Sequence, residues 1–210
     1  MADPSDPPGF LAVVTVDQRR SRSSPDLVDG LLDEIAATVP ESAVLRGFER
    51  TAGDEVQGVL ASPGDLVDLV LRLVRTGSWR TGIGLGPVRR PLPASTRAGA
   101  GPAFEHARAA VDHAKQVTEG VAVSGPDGAA TRSAEAVLQL LAAIVQRRTP
   151  QGWEAVDLVA GGLTQAAAAG RLGVTRQAVR QRLHAALWQH EHAVRPVAAE
   201  LLARAAAVAA

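Results

Sequence analysis

Five polar side chains towards the end of the chain combine residue types and a spacing that suit contacts with DNA bases. They are Arg176, Gln177, Arg180, Gln181 and His184. Positions three and four apart lie on the same face of an α-helix, so the set predicts one polar helix face. Arginine can pair bidentately with guanine and glutamine with adenine, and each contact contributes about 1–3 kcal/mol of base discrimination. The spacing therefore predicts a helix that reads the major groove of double-stranded DNA.

The residues around this face predict the rest of a DNA-binding motif. Residues 163–187 divide into a helix capped by Thr164, a break at Gly173 and a second helix capped by Thr175, which is the layout of a helix-turn-helix. Both capping threonines belong to the predicted DNA-binding set. Four arginines and no acidic residue lie between Thr164 and Trp188, which favours contact with phosphates.

An apolar set with helical spacing predicts the buried side of the motif. The residues expected to face inward are Val174, Ala178, Val179, Leu183 and Leu187. The alternative is a helical hairpin whose arginines form only a solvated face, because about a third of an ordinary globular protein is helical. The pattern does not identify a target sequence under either interpretation.

Three carboxylates are expected to converge in the first half of the chain. Asp17 ends a predicted buried strand, and Asp54 and Glu55 lie at the tip of a predicted hairpin beside that strand. Carboxylates about 4 Å apart repel by roughly 4 kcal/mol at an effective dielectric of 20, so such a cluster usually holds a cation or a shared proton. Mg²⁺ bound together with a nucleotide phosphate is the expected occupant. The alternative is that these acids are ordinary turn residues.

The predicted elements before residue 126 follow the order of an α+β sandwich. Strands are predicted over residues 10–17, 43–50, 55–61, 79–88 and 120–124, and helices over residues 26–38, 65–76 and 102–117. This order predicts a ferredoxin-like or palm-type α+β sandwich over residues 10–126. Glycines 82, 84 and 86 in one strand are expected to allow close packing rather than to form a phosphate loop.

The rest of the chain is expected to be helical. Residues 124–133 have the composition of a linker, and residues 131–210 are predicted to form an all-α domain for DNA binding and dimerisation. Its first helix carries an apolar face that either closes a core or pairs with the same helix of another subunit. That face consists of Val137, Leu138, Leu141, Ile144 and Val145.

Four segments resemble the SatD family, and together they cover about 100 residues in the same order. They are VVTVDQRRSR at 13–22, FERTAGDEVQGVL at 48–60, RTGIGLGPV at 80–88 and AGPAFEHARAAVDHAK at 100–115. The resemblance implies a domain similar to the palm-type domains of nucleotide cyclases. It implies metal binding by Asp17, Asp54 and Glu55, phosphate contacts by Ser21 and Arg22, and a tight turn at Gly53. Further ligand contacts are implied for Gln57, Arg80 and Arg108.

Composition narrows the class of protein. With 46% hydrophobic and 21% charged residues, the chain should fold, and no uninterrupted apolar run approaches the roughly 18 residues that a membrane span needs. Residues 1–9 carry acids and prolines, so they predict a disordered arm rather than a secretory signal. The chain has no cysteine, which excludes disulfides and thiolate metal sites. A soluble cytoplasmic protein is expected.

The zero net charge conceals two halves of opposite sign. Residues 1–130 contain 13 basic and 17 acidic side chains, whereas residues 131–210 contain 9 and 5. A basic module joined to an acidic one suits a DNA-binding region attached to a different function.

Three functions are compatible with these patterns. The preferred hypothesis is a homodimeric transcriptional regulator whose first domain senses a small ligand, such as a nucleotide, and alters DNA binding. The second is a Mg²⁺-dependent nucleotide-processing enzyme, either a cyclase or an enzyme similar to GTP cyclohydrolase, with an accessory helical domain. The third is a protein-protein adaptor.

Overall fold

The computed structural model describes residues 9–21 and 23–207, and these contain one mixed five-stranded sheet and eight α-helices. The strands are β1 (Ala12–Gln18), β2 (Val44–Arg50), β3 (Glu55–Leu60), β4 (Trp79–Leu85) and β5 (Val121–Ser124). The helices are α1 (Val28–Thr38), α2 (Pro63–Thr76), α3 (Pro102–Ala114), α4 (Gly128–Gln146), α5 (Pro150–Ala160), α6 (Gln165–Leu172), α7 (Arg176–Ala185) and α8 (Trp188–Ala206). The predicted α+β class is confirmed. Of the arm predicted over residues 1–9, only Gly9 is among the described residues.

The central strand of the sheet is β1, and the strand order is β2-β3-β1-β4-β5. Strand β1 pairs antiparallel with both β3 and β4, whereas β5 joins β4 in parallel. The succession of strands and helices up to β5 is the predicted one, although the strand expected over residues 79–88 ends at Leu85 and the helix expected to reach residue 117 ends at Ala114.

One face of the sheet carries the main hydrophobic core. Val14 and Val16 of β1 point into it because alternate strand residues face the same side, and both are fully buried. Helices α1, α2, α4 and α8 cover this face, with Leu66, Leu138 and Leu202 among their fully buried side chains. Helices assigned from the sequence to separate domains therefore contribute to one continuous core. The proposed boundary between residues 126 and 131 does not coincide with a break in the packing.

The opposite face packs closely against α3. Gly82 and Gly84 of β4 lie under this helix, and a Cβ atom at Gly84 would overlap the backbone of Ala103 and Ala107. A Cβ atom at Gly82 would likewise overlap the backbone of Val111. The expectation that the glycines of this strand permit close packing is confirmed at these two positions.

Helix α4 begins inside the segment that has linker composition. Asp127 caps it, because its carboxylate accepts hydrogen bonds from the backbone N–H groups of Ala129 and Ala130. A helix therefore replaces the expected linker from Gly128 onwards. In residues 9–21 and 23–207, α4 alone is long and apolar enough to span a membrane, but its buried third packs into the main core. This arrangement is compatible with a soluble protein.

Helices α5, α6 and α7 share a small core of their own. Ala168 and Ala169 of α6 are buried against Val179 and Leu183 of α7, as their small size and spacing predict. Leu187 is a correction: it was expected to face inward, but it is 41% exposed and has a positive φ of 51°. Helix α7 ends two residues earlier, and Leu187 forms the turn into α8.

Candidate functional site

Helix α7 presents its polar face to solvent. The five residues of this face are all exposed: Arg176, Gln177, Arg180, Gln181 and His184. Val179 and Leu183 on the opposite side are buried in the small core and fix the rotation of the helix. The structure therefore brings the five predicted side chains together on one surface.

Two threonines hold the ends of the helices that carry this surface. The hydroxyl oxygen of Thr164 accepts a hydrogen bond from the N–H of Ala167, and that of Thr175 accepts one from the N–H of Ala178. Between α6 and α7 the chain turns at Gly173, whose φ of 65° lies in the left-handed region. Both threonines are exposed, so each hydroxyl can still donate a hydrogen bond.

A hollow lies on each side of the exposed ridge of α7. The larger one has a volume of about 690 Å³ and is bounded by α7, by Gln165 of α6 and by Gln189 and His190 of α8. The smaller one, about 330 Å³, is lined by four residues of α7. Gln177, Arg180 and His184 border both hollows, so they form the crest between them.

The charge on this surface is entirely basic or neutral. Arginines and histidines line the two hollows, and no acidic side chain is among their described lining residues. In the described part of the chain, the acid that forms an ion pair with α7 is Glu154. It pairs with Arg182 at 3.0 Å, and Arg182 is not part of either lining. Arg176 and Arg180 thus face solvent without a described carboxylate partner in an ion pair, which suits binding of a polyanion.

Three residues at the hollows were missed by the sequence analysis. Gln165 begins α6, and Gln189 and His190 lie in the first turn of α8. The position of Gln189 and His190 depends on the left-handed turn at Leu187, a conformation that leucine seldom adopts and that no sequence pattern indicated. His192, two residues further along α8, stacks on Trp188 and is not among the residues that line the larger hollow.

The second predicted site, at the end of β1, contains cations as well as carboxylates. Asp17 lies opposite Glu55 on one side and opposite Arg80 on the other. Its oxygens approach the Nζ of Lys115 at 3.4 Å and a guanidinium nitrogen of Arg80 at 3.7 Å. Glu55 accepts a hydrogen bond from the hydroxyl of Thr51 at 2.7 Å. The structure places Asp17 beside Glu55, but Asp17 already forms ion pairs with Lys115 and Arg80.

The pKa values at this end of the sheet reflect the crowding of positive charge. Burial lowers the pKa of Arg19, and the neighbouring charges of Arg80 and Arg20 lower it further. Partial burial also acts against the charge of Lys115, but the carboxylates of Asp112 and Asp17 outweigh it and raise the pKa of this amine. The two basic side chains in contact with Asp17 are those of Lys115 and Arg80.

Cations this close to Asp17 do not suit a magnesium ion. Mg²⁺ needs carboxylate oxygens that are free to coordinate it, and both neighbouring cations would repel it. Among the described residues no group of three or more histidine or acidic side chains could hold a metal. The third predicted ligand, Asp54, lies partly exposed in the turn before β3. The magnesium site stays a prediction, and the arrangement itself better suits an anionic group.

The remaining ligand-contact residues are spread over this part of the chain. Gly53 has a φ of 58°, so the tight turn expected there is confirmed. Gln57 donates a hydrogen bond to the hydroxyl of Thr15, and Arg108 is exposed on α3. Ser21 lies in the turn after β1. Arg22 lies outside the described residues.

The carboxylate of Glu49 holds the loop between β4 and α3 against the sheet. Glu49 of β2 accepts hydrogen bonds from the hydroxyls of Ser95 and Thr96 and from the backbone N–H of Arg97. These donors, with Ser95 contributing most, lower the pKa of Glu49 to about 2. Glu49 therefore stabilises the fold in its charged form.

We expect Glu49→Gln to weaken the acid sensitivity of the protein. The stabilisation from Glu49 is complete above its ordinary pKa of 4.5 and is lost as the pH falls towards about 2. The wild-type Tm should therefore fall more steeply between these pH values than the Tm of Glu49→Gln, and Ser95→Ala should give an intermediate profile. Superimposable profiles in a thermal-denaturation series would contradict this role for Glu49.

A buried ion-pair network links the two cores. Arg148, which follows α4, pairs with Glu191 of α8 at 2.9 Å, and their side chains are 1% and 0% exposed. Arg148 also donates to the carbonyl of Ala186 at the end of α7. Glu191 accepts a further bond from Arg195, which reaches Asp68 of α2 at 2.8 Å. The end of α7 is thereby connected to the helices of the main core.

Aromatic rings enclose this network. The guanidinium of Arg148 lies over Trp153 at 4.7 Å and near Trp188 at 5.8 Å from the ring centres. Arg75 of α2 covers the same Trp153 ring at 3.9 Å and pairs with Asp157 of α5. Cation–π contacts of this kind contribute about 0.5–2 kcal/mol each. They add to the ion pairs between the main core and α5.

The chain matches no protein-family model, no curated protein and no solved structure. The resemblance to the SatD family therefore stays a prediction, and the functional argument depends on the surface of α7 and the sheet end around Asp17.

Proposed function

We propose that this protein is a sequence-specific DNA-binding regulator of transcription, with α6 and α7 as its helix-turn-helix and α7 as the helix that reads the major groove. The observation that supports this most is the exposed basic and amide face of α7, which forms a ridge between two hollows. The major groove is about 12 Å wide and admits one helix, while a sugar-phosphate strand runs along each of its edges.

The exposed residues of α6 and α7 suit contacts with both the bases and the phosphates of DNA. Arg176, Gln177 and Arg180 lie in the first turns of α7, where a recognition helix enters the groove most deeply. Gln181 and His184 continue the same face, and the exposed Thr164 and Thr175 can donate to phosphates at its edges. The helical-hairpin alternative does not account for the absence of acids from this surface.

We assign the sheet to ligand sensing. Strands β1 to β4 with α1 and α2 follow the order of a ferredoxin-like fold, which supports the palm-type interpretation. The positive side chains of Arg80 and Lys115 beside Asp17 favour a ligand that carries phosphate, such as a nucleotide. The network from Arg148 to Asp68 is a physical connection through which ligand binding could bias the position of α7.

The protein is expected to act as a homodimer in the cytoplasm. Helix α7 has ten residues and reads only a few base pairs, so one copy gives little affinity. Two copies that bind half-sites one helical turn apart, about 34–36 Å, are the usual solution for such motifs.

Selection from a pool of random-sequence duplexes tests the proposal. The wild-type protein should enrich one motif with two related half-sites, and two copies should bind each selected duplex. The logarithm of the binding constant should fall linearly with the logarithm of salt concentration between about 50 and 200 mM. If the protein binds no duplex, or binds the selected and scrambled duplexes equally, the proposal is wrong.

A further inference from the structure

The larger hollow beside α7 has a second wall that lies outside the two helices of the motif. Gln189 and His190 form this wall from the first turn of α8 and face the hollow opposite Arg176, Arg180 and His184. All five side chains are exposed. Because the turn at Leu187 directs α8 away from the axis of α7, the two helices form the sides of one concave surface.

We infer that Gln189 and His190 bind the phosphates of one DNA strand, so that the DNA interface extends from α7 onto α8. This inference rests on the proposed function, because it assumes that α7 occupies the major groove. The strand at the edge of that groove is then beside α7, in the position of the larger hollow.

The chemistry of the hollow suits a sugar-phosphate strand. Its described lining has two arginines, two histidines, three glutamines, no acid, and only two apolar residues, Leu183 and Leu187. Its volume of about 690 Å³ is large enough for several backbone atoms of a strand. Glutamine amides and imidazoles both donate hydrogen bonds to phosphate oxygens.

The smaller hollow provides a comparison on the same helix. Its described lining residues all belong to α7, whereas the larger hollow is shared with α8. Gln189 and His190 increase affinity without selecting bases, because phosphate contacts are the same for every sequence.

The double variant Gln189→Ala/His190→Ala tests this assignment in the full-length protein. The probes are one duplex enriched by the wild-type protein and a scrambled duplex of the same composition, both measured by fluorescence polarisation. We expect affinity for both duplexes to fall by about tenfold, as expected for the loss of two modest hydrogen bonds. The ratio between the two affinities should not change.

The matched control is Gln116→Ala/His113→Ala, which removes the same two residue types from exposed positions at the end of α3. It should bind both duplexes as the wild-type protein does. Wild-type affinity in Gln189→Ala/His190→Ala, with binding lost in Arg176→Ala/Arg180→Ala, would overturn the extension onto α8 and leave the proposed function intact. A loss confined to the selected duplex would overturn the phosphate assignment, and a wild-type protein that binds no DNA would overturn both proposals.

Discussion

The double variant Arg176→Ala/Arg180→Ala is expected to lose sequence-selective binding to DNA. Both arginines are exposed on the ridge of α7, and neither has a described carboxylate partner within ion-pair distance. A bidentate contact between arginine and guanine contributes about 1–3 kcal/mol, so the loss of two should lower affinity by roughly 30-fold to 10⁴-fold. The affinity for a selected duplex should approach that for a scrambled one, as measured by fluorescence polarisation at fixed salt.

A control must distinguish the loss of two positive charges from the loss of contacts with bases. Arg132→Ala/Arg147→Ala removes the same number of charges from exposed positions on and just after α4. This control should retain the preference for the selected duplex. Both double variants should keep the wild-type Tm to within a few degrees, because exposed substitutions change stability by about 0.5 kcal/mol or less. Selective binding that survives Arg176→Ala/Arg180→Ala would refute the assignment of α7 as the reading helix.

The surface of α7 was predictable because it depends on local sequence. The spacing of Val179 and Leu183 sets the buried side, and the two threonines and Gly173 set the ends of the helices. Each of these signals acts within one or two helical turns. The side chains on the opposite face follow from the helical period alone.

The wall formed by α8 was not predictable for a corresponding reason. It depends on the positive φ of Leu187, where apolar character indicated a buried helical residue. The prediction of a linker over residues 124–133 is wrong from Gly128 onwards for a similar reason. Glycine and proline in residues 124–133 indicated a linker, but Asp127 caps a helix whose Leu138 and Leu141 are buried in the main core. Tertiary packing outweighs local composition at both places.

The site around Asp17 at the end of β1 could be predicted only in part from the pattern of strands. Placing Asp17 beside Glu55 follows from the hairpin and the register of β1 with β3. The approach of Lys115 does not, because it depends on how α3 crosses the sheet over Gly82 and Gly84. That crossing places an amine against Asp17, a contact that the strand pattern does not contain.

Glu191→Ala is expected to destabilise the protein more than any other single substitution of a charged residue discussed above. Glu191 is fully buried and accepts hydrogen bonds from both Arg148 and Arg195. Burial acts to lower the pKa of Arg195, but Glu191 and Asp68 outweigh it and raise that pKa, so Arg195 is charged beside Glu191. Removing one partner of a buried pair costs about 3–5 kcal/mol, because the other charge remains buried without compensation.

A thermal-denaturation series separates this cost from the loss of an ordinary ion pair. Glu191→Ala should lower the Tm by roughly 6–20 °C for a chain of this size. The control Glu154→Ala breaks an exposed pair with Arg182 at 3.0 Å and should cost about 1 kcal/mol or less. Equal effects of the two substitutions would contradict the burial of the network.

The variant Arg148→Met/Glu191→Leu distinguishes the cost of an unpaired charge from the cost of lost packing. Replacing a buried pair by apolar residues of similar size is often neutral or stabilising, so this variant should recover much of the Tm lost in Glu191→Ala. Recovery would show that the unpaired charge of Arg148 causes the instability. Because Arg148 also holds the carbonyl of Ala186, the same variant releases the end of α7. Its DNA affinity should therefore stay below that of the wild-type protein even where its Tm recovers, since stability and the position of α7 depend on different contacts of one side chain.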